Sequence, residues 1–495
     1  MKGAGNLEQR VMMGRRVIYT DVADITEENV LDVLQKAFFI HMMNKADIEY
    51  LYAYYRGNQP ILRRKKDVRP EIKNEIVENR ANEIVSFKVG YLMGEPVQYV
   101  SKSDSLEITS RIDKLNEYIA YEDKAAKDKE LADWFHIAGT AYRMVLPDSA
   151  VSSEEDAAPF EIYTLDPRYT FVVRLNTLGA PVVMAVKYVI REDGTQIFSC
   201  YTRDRYFEIV NMTDIVRSEY QVLGIPIIEY PANNARLGAF EIVLPLLDAI
   251  NNVDSNRMDG VEQFIQAIML FHNVIISDED YDKLRSDGAI KYKDADPQLK
   301  GEIKYLTEEL NQTQTQTLVD HMYNTVLTIC GMPNRNGGSS TSDTGSAVIM
   351  RDGWSAAEAR AKDSELMFKK SEKEFLKLVL RICHDLSDLE LNLSAVEIRF
   401  TRRNYENITE KANVLTAMLS NSKIHPMLAF THSGMFTDPL VAYKMSEEYA
   451  REQQKKAQEI FNQTGGNREN GEESNQNSTG GGPDDNRNPE PGEKR

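Results

Sequence analysis

The sequence predicts an α+β protein with more than one domain, and two observations carry this prediction. Two segments, 240–271 and 347–386, have apolar residues at helical spacing over unusually long stretches. Between residues 141 and 220, by contrast, the pattern changes to short strands separated by turn signals. The chain has 495 residues, 42% hydrophobic and 27% charged, which suits a globular protein of several domains.

Helices dominate the chain before residue 141. Residues 1–26 lack a periodic pattern and are expected to form an irregular arm. Helical spacing then recurs between Thr26 and about residue 39, from residue 48 to near Gly57, and over 70–93 and 104–140. A short strand is expected at Val97–Val100, after the helix-breaking Gly94 and Pro96.

The segments between residues 141 and 210 alternate apolar and polar residues in the manner of strands. They read AYRMVLP, FEIYTLDP, YTFVVRL, PVVMAVKYV, TQIFSCYT and RYFEIV. Hairpin-type turn residues occur at Asn176–Gly179 and at Asp193–Gly194. The region contains neither a GxGxxG pattern nor the nucleophile elbow of hydrolases, so it predicts a mixed α/β domain without a recognisable catalytic motif.

After this domain comes a long helix, expected from Phe240 to Phe271 and about 48 Å long if continuous. Its apolar residues follow near-heptad spacing, but a polar run at Asn251–Arg257 lies in the middle. Such a helix packs against neighbours on some sides and faces water on another. A compact α/β insert is expected at 273–310, with a short helix at Tyr281–Leu284, and a further helix follows at Asn311–Cys330.

A polar loop precedes the longest helix. Residues 331–346 read GMPNRNGGSSTSDTGS, and a loop of this length inside a compact protein is usually functional or disordered. It lacks the GxxxxGK[ST] spacing of a phosphate-binding loop. From Ala347 a helix of roughly forty residues, close to 60 Å, is predicted to end at Leu386, with Gly353 in its interior. We interpret its apolar stripe, which begins at Trp354, as packing.

The C-terminal region combines one strand with two helices. The segment AVEIRFTRR, residues 395–403, has strand character, and helices are expected at Thr409–Leu419 and from Leu440 to about Phe461. Pro439 is expected at the first position of the second helix. Beyond Asn462 the composition changes to Gly, Asn, Glu, Pro and Ser, which predicts a disordered tail.

The charge of the chain limits how it can meet nucleic acid. The net charge is −18, so either DNA is not a ligand or it must pass without adhering, because phosphate neutralisation drives affinity. The basic cluster Arg63–Lys66 leaves two interpretations open, a phosphate contact or a solvated loop. The three cysteines have no metal-binding spacing and favour a reducing compartment. Because no signal peptide and no apolar run of about 18 residues is visible, no membrane segment is expected.

No enzyme is predicted. The sequence lacks HExxH, Walker A, GxSxG and DFG-type motifs. The adjacent carboxylates Asp278, Glu279 and Asp280 lie on a predicted loop, and adjacent carboxylates seldom converge on one ion. Neither a metal nor another cofactor is therefore expected.

Six short motifs, in order along the chain, point to one family. They are YYRGNQPIL at Tyr54–Leu62, NEIVSFKVGYLMGEPVQY at Asn82–Tyr99, AGTAY at Ala138–Tyr142, LDP at Leu165–Pro167, GIPIIEYPANN at Gly224–Asn234 and TGSAVIM at Thr344–Met350. Together, over about residues 45–450, the chain resembles the portal proteins of tailed bacteriophages of the long-tailed siphophage type.

The resemblance implies a ring, usually of twelve subunits, at one vertex of the capsid. Double-stranded DNA would pass through its axial channel during packaging and ejection. The implied regions are an N-terminal arm at 1–26, an α/β wing at 27–237, a first stem helix at 238–272, a clip at 273–310, a second stem helix at 311–330, a tunnel loop at 331–346, a long wing helix and strand at 347–403, a helical crown at 404–461 and a tail at 462–495.

The resemblance also implies two sites and a set of partners. The tunnel-loop residues expected nearest to DNA are Asn334, Arg335, Asn336, Ser339, Ser340 and Thr341. In the clip, Asp278, Glu279 and Asp280 are expected to contact partner proteins. The implied partners are further copies of the chain, double-stranded DNA without sequence specificity, the terminase, the scaffolding and major capsid proteins and the head–tail adaptor, in a virion assembled in the host cytoplasm.

Two other functions stay open. One is a metal-dependent nuclease or another DNA-processing component of the packaging machine, which would use carboxylates that no motif identifies. The other is a scaffolding or adaptor protein of the head, although such proteins are typically far shorter and lack so large a strand-rich domain.

Overall fold

A computed structural model describes residues 14–102, 105–148, 157–265, 268–279, 293–296, 298–306, 312–334, 353–402, 408–436 and 439–465. Helices and sheets are both extensive, so the α+β class is confirmed. The chain divides into two compact units, residues 1–407 and 408–495.

A six-stranded sheet forms one part of the first unit. Its order is β1-β5-β6-β7-β8-β9, with β1 parallel to β5 and every other pair antiparallel. The strands are β1 Ile18–Thr20, β5 Thr170–Leu175, β6 Val182–Ile190, β7 Gln196–Thr202, β8 Arg205–Val210 and β9 Asp214–Tyr220. The arm expected to be irregular therefore contains a strand, β1, whose Ile18 is buried against the sheet because it joins a shared apolar core.

Helix α1, Val30–Tyr55, covers this sheet. It is continuous, whereas the sequence predicted two successive helices in this range. The residues around position 40 that separated the two predicted apolar runs include His41 and Asn44, which are buried and hydrogen-bonded. A polar interruption therefore reflects internal hydrogen bonding and not a break in the helix.

Two smaller sheets join distant parts of the first unit. One has the order β10-β3-β4, with β3 Thr140–Pro147, β4 Phe160–Leu165 and β10 Ile227–Pro231. The other pairs β2, Gln98–Ser101, with β15, Val396–Arg399, in antiparallel register. The strands expected in these regions are thus confirmed, except that β10 was not anticipated.

Three helices surround these sheets on the N-terminal side: α2 Arg80–Leu92, α3 Leu106–Tyr121 and α4 Lys124–Ala138. The predicted helix over 104–140 is divided at Asp123, whose φ of 48° is left-handed. The helix predicted over 70–93 is wrong in its first ten residues, because residues 70–79 have no regular helix and bond to another element described below.

The long helix of the second half, α5, spans Leu244–Ile265 and packs against α6, Gln312–Cys330. The prediction that α5 continues to Phe271 is wrong, since Ile268–His272 forms strand β11, antiparallel to β14, Glu302–Leu306. A short apolar run is compatible with a helix or a strand, and here pairing with β14 makes it a strand. Strands β12, Val274–Ile275, and β13, Lys293–Asp294, add a second antiparallel pair to the insert. The predicted helix at Tyr281–Leu284 lies outside the described residues.

The longest helix is α7, Trp354–Leu386, about 50 Å long. Gly353, expected in its interior, is its N-cap with a φ of 82°, a conformation that cannot continue a right-handed helix. The predicted stripe is largely confirmed, with buried Ala357, Ala361, Phe368, Phe375, Val379 and Ile382, whereas Leu386 is 53% exposed. Residues 347–352 lie outside the described part of the chain.

The second unit contains α8, Ile408–Leu419, α9, Pro426–Ser433, and α10, Pro439–Gly465. The first and last were predicted, and Pro439 is the first helical residue as expected. Helix α9 was not anticipated; Pro426 starts it and Gly434, with a φ of 60°, ends it. Helix α10 continues four residues past Phe461, and the tail beyond it lies outside the described residues.

Candidate functional site

Helix α5 carries a stripe of buried polar side chains. Asp248, Asn251, Ser255 and Asp259 follow one another at steps of three or four, which places them on one face of the helix. Each is less than 9% exposed, and Asn251 and Ser255 are fully buried. Buried polar groups of this kind require hydrogen-bond partners, because an unpaired one costs about 1–3 kcal/mol.

Three of the four accept hydrogen bonds from backbone N–H groups of the segment 70–79, which has no regular secondary structure and which we call the strap. The N–H of Asn74 donates to Asp259 Oδ1 at 2.7 Å, that of Ile76 to Ser255 Oγ at 3.0 Å, and that of Glu78 to Asn251 Oδ1 at 2.8 Å. Two residues of an extended chain span about 6.6 Å and four residues of a helix about 6.0 Å. The two repeats nearly match, so α5 side chains replace the partner strand that an extended segment would otherwise need.

The first motif of the sequence contributes to the same joint. Tyr54 Oη donates to Asp248 Oδ1 at 2.9 Å, and Asn251 Nδ2 donates to Gln59 Oε1 at 2.5 Å. Gly57 between them has a φ of 89°, in the left-handed region that favours glycine. The segment YYRGNQPIL therefore connects α1 to α5.

This joint corrects the interpretation of the polar run in α5. Exposed Asn252 and Asn256 agree with a face toward water, but Asn251 and Ser255 are buried against the strap. Two of the four residues of the basic cluster Arg63–Lys66 also belong to this joint, because Arg64 and Lys66 both pair with the carboxylate of Asp259. Burial alone would raise the pKa of Asp259, but hydrogen bonds from Asn74 and Lys66 and the charge of Arg64 outweigh it and lower the pKa to about 2.

The start of the predicted tunnel loop and Gly353, the residue before α7, lie together at the end of α6. Gly331, with a φ of 64°, terminates the helix, and Lys88 Nζ donates to the carbonyl of Cys330 at 2.8 Å. Gly353 lies beside Met332 and Pro333, because a Cβ placed on it would be 3.8 Å from atoms of both. The chain thus leaves this base after residue 334 and returns to it at residue 353.

The described residues include three of the nine predicted site residues. Asn334 is half-buried, and its Nδ2 donates to Asn324 Oδ1 of α6 at 3.0 Å. Asp278 and Glu279 follow β12 and are exposed. The remaining ones, Arg335, Asn336, Ser339, Ser340, Thr341 and Asp280, lie outside the described residues.

A buried ionic cluster in the first unit was not predicted from the sequence. Glu372 of α7 accepts hydrogen bonds from Tyr99 at 2.5 Å and Tyr230 at 2.7 Å, and it pairs with Lys124 at 2.8 Å and Arg143 at 3.4 Å. Asp128 pairs with the same two cations. Two carboxylates thus face two cations in the core, which joins α4, α7, β2, β3 and β10. The sequence feature that could have indicated this cluster is Arg143, a charged residue within the otherwise apolar strand AYRMVLP.

Over the described ranges, no three His, Cys, Asp or Glu side chains are grouped so that they could hold a metal ion. In the same ranges, no helix has the length and apolar character needed to cross a membrane.

The described residues thus form a region of sheets and helices, a pair of packed helices, α5 and α6, and a strand-containing insert between those two helices. The family model described as "Phage portal protein, SPP1 Gp6-like" matches residues 36–459, which is most of the chain, so the chain belongs to this family. This confirms the resemblance and makes the protein a structural component of a phage-type particle.

Solved structures of gene transfer agent particles are similar to the chain. A chain of the "Neck of empty GTA particle computed with C6 symmetry" has a TM-score of 0.41 and 11% identity, covering 72% of this chain and 90% of that one. A chain of the "Virion of native gene transfer agent (GTA) particle" has a TM-score of 0.40 and 12% identity, covering 79% and 94%. A search of curated protein sequences finds no significant match.

Proposed function

We propose that copies of this chain form a closed ring, of twelve subunits as in the siphophage portals it resembles, whose axial channel conducts double-stranded DNA during packaging and ejection. The observation that carries the proposal is the family match over residues 36–459. Closed cyclic symmetry is the usual solution for head-to-tail contacts between identical subunits. An acidic surface suits a conduit, because few phosphates are neutralised and the duplex can slide.

The tunnel loop is the proposed constriction of that channel. The start of this loop, at Cys330–Asn334, is held by α2 and α6, because Lys88 donates to the carbonyl of Cys330 and Asn334 donates to Asn324. Asn334, Arg335, Asn336, Ser339, Ser340 and Thr341 are the residues we place nearest to DNA. Uncharged Asn, Ser and Thr side chains can hydrogen-bond phosphates and water without selecting bases, as a conduit for a whole genome requires.

The insert at 273–310 is the proposed clip, which docks the terminase during packaging and the head–tail adaptor afterwards. Exposed Asp278 and Glu279 support this role, and Asp280 follows them in sequence. The scaffolding and major capsid proteins are further proposed partners, and the host cytoplasm is the proposed place of assembly. Charge reversal at 278–280 should reduce pull-down of both docking partners while rings stay intact; unchanged pull-down would remove these residues from the proposal.

Replacement of the segment Asn334–Asp343 by two glycines tests the channel assignment. The loop offers little apolar surface, so ring assembly and procapsid incorporation should stay normal while the amount of DNA packaged or retained falls. Deletion of the tail after Asn462 is the matched control and should leave packaging near normal. If the loop variant packaged full-length DNA, the loop would only connect two parts of the chain and would not be the constriction. Magnesium-dependent DNA cleavage by the purified chain would favour the nuclease alternative.

A further inference from the structure

A small cavity lies between the six-stranded sheet and the sheet β10-β3-β4, and its volume is about 20 Å³. Strand β5 contributes Thr170 and Arg174 to its wall, and β10 contributes Glu229. Apart from Arg16, Val17 and Arg174, the residues that line it are buried. A cavity of this size can hold one water molecule or one monatomic ion, and it is too small for an organic anion.

The charges of the lining residues do not balance. The lining includes one carboxylate, Glu229, and the four arginines Arg15, Arg16, Arg174 and Arg236. Arg15 pairs with Glu241, a residue outside the lining. Arg174 and Arg236 share Glu229, at 2.8 and 2.6 Å. Even if the exposed Arg16 is set aside, three cations meet two carboxylates. His41 does not change this balance, because burial lowers its pKa to about 4 and its ring is neutral at neutral pH.

Three buried polar atoms of the lining residues have no hydrogen-bond partner among the described residues. They are Nε of Arg15, Nε of Arg174 and Oγ1 of Thr170. An arginine Nε–H can only donate, and a threonine hydroxyl can donate as well as accept. Glu229 already accepts four hydrogen bonds, two on each oxygen, from arginine and threonine side chains. An occupant of the cavity must therefore accept hydrogen bonds, and a water molecule would find no free carboxylate oxygen for its own hydrogens.

We propose that this cavity binds a chloride ion. A halide accepts hydrogen bonds and donates none, so it suits N–H and O–H groups that all lack an acceptor. Its charge would also offset the unbalanced arginine, as buried charges in proteins require. Bound there, the ion would connect Arg15, which precedes β1, to Thr170 and Arg174 of β5. It would therefore stabilise the attachment of the N-terminal arm to the rest of the first unit.

Urea unfolding of the full chain in chloride and in gluconate tests the proposal. Sodium gluconate replaces sodium chloride at constant ionic strength, so the screening of exposed charges stays the same. A ligand that binds only the folded chain lowers the unfolding equilibrium constant in proportion to its concentration once the site is nearly saturated. A rise in chloride from about 0.02 to 0.2 M should therefore lower that constant by about three- to ten-fold, as followed by tryptophan fluorescence. Equal unfolding constants in the two salts would overturn the proposal and leave water as the occupant.

Variants of the chain assign the chloride effect to this cavity. Arg174→Met removes one unpartnered donor and one positive charge, while Glu229 keeps its pair with Arg236, so the difference between the two salts should disappear. Thr170→Val removes only a hydroxyl and should need about two- to ten-fold more chloride for the same stabilisation. Thr202→Val is the matched control, because Thr202 is also buried but does not line the cavity, and it should keep the full chloride effect. A chloride effect of native size in Arg174→Met would overturn the assignment.

Bromide can locate the ion directly, because it is a halide with a measurable anomalous signal. Anomalous diffraction from crystals of the full chain grown in sodium bromide should show a peak in the cavity, beside Arg15 and Arg174. Density for a water molecule at that place, without an anomalous peak, would overturn the proposal.

Discussion

At the scale of single residues, buried charges hold helices and strands of the first unit together. Glu372 has no exposed side-chain surface and meets Lys124, Arg143 and two tyrosine hydroxyls. Burial opposes its charged form, but the two cations and the hydrogen bonds outweigh that effect and lower its pKa to about 2. Burial, together with the adjacent carboxylate, raises the pKa of Tyr99 and Tyr230 well above the ordinary value, so both remain donors.

Replacement of Glu372 by glutamine should be strongly destabilising. It leaves Lys124 and Arg143 facing Asp128 alone, and removing one partner of a buried ionic group costs about 3–5 kcal/mol. The free energy of unfolding can be followed by intrinsic fluorescence in urea, because both tryptophans, Trp134 and Trp354, lie in the first unit. Glu374→Gln on the same helix is the matched control, since its pair with Lys377 is exposed and should contribute less than about 1 kcal/mol. Equal losses in the two variants would contradict this account.

The same carboxylate predicts a pH dependence. A pKa of about 2 in the folded state, below the ordinary 4.5, stabilises the fold above pH 4.5, and this stabilisation is lost as the pH falls toward 2. The difference in unfolding free energy between the native chain and Glu372→Gln should therefore narrow by about 3 kcal/mol over that interval. A constant difference in urea titrations across the interval would show that Glu372 does not titrate as described.

At the scale of elements, the sequence predicted most helices and strands but not how polar residues are used. Period and turn residues located β3 to β8, α6 and α8 within a few residues. Two failures share a physical cause, which is that a partner distant in sequence decides the conformation. Residues 70–79 have helical spacing yet bond to α5, and Ile268–His272 continues an apolar helix pattern yet pairs with β14.

The strap gives a prediction at this scale. Ser255→Ala leaves the N–H of Ile76 without its acceptor, which should cost about 1–3 kcal/mol. Hydrogen–deuterium exchange of peptides covering 72–79 should then accelerate by roughly 10–100-fold. Asn252→Ala, on the exposed side of the same helix, should leave exchange there nearly unchanged. If both variants exchanged like the native chain, the side-chain ladder would not be what holds the strap.

At the scale of the whole molecule, four of the six motifs that identified the family have structural roles. Tyr54, Gly57 and Gln59 build the joint between α1 and α5, Tyr99 and Tyr230 donate to Glu372, and Gly139 allows close backbone contact. Sequence could therefore identify the class of protein through its scaffold. The channel and docking residues have no such signature, because a sliding contact with DNA needs only small polar side chains, and any exposed loop can supply them.

Ring formation is the prediction that belongs to this scale, and the charge of the chain makes it specific. Twelve copies of 56.4 kDa would weigh about 680 kDa, and each carries a net charge of −18. Like charges on neighbouring subunits repel, and added salt screens exposed charges over about 10 Å at 0.1 M and about 3 Å at 1 M. The fraction of chain in rings, measured by mass photometry, should therefore increase as sodium chloride is raised from about 0.05 to 0.5 M.

The charge-reversed variant of 278–280 makes each subunit less acidic and should need less salt to form rings. Monomers or dimers alone at micromolar concentration, at every salt concentration, would argue against a ring, whereas rings that dissociate as salt is raised would mean that attraction between charges holds the subunits together.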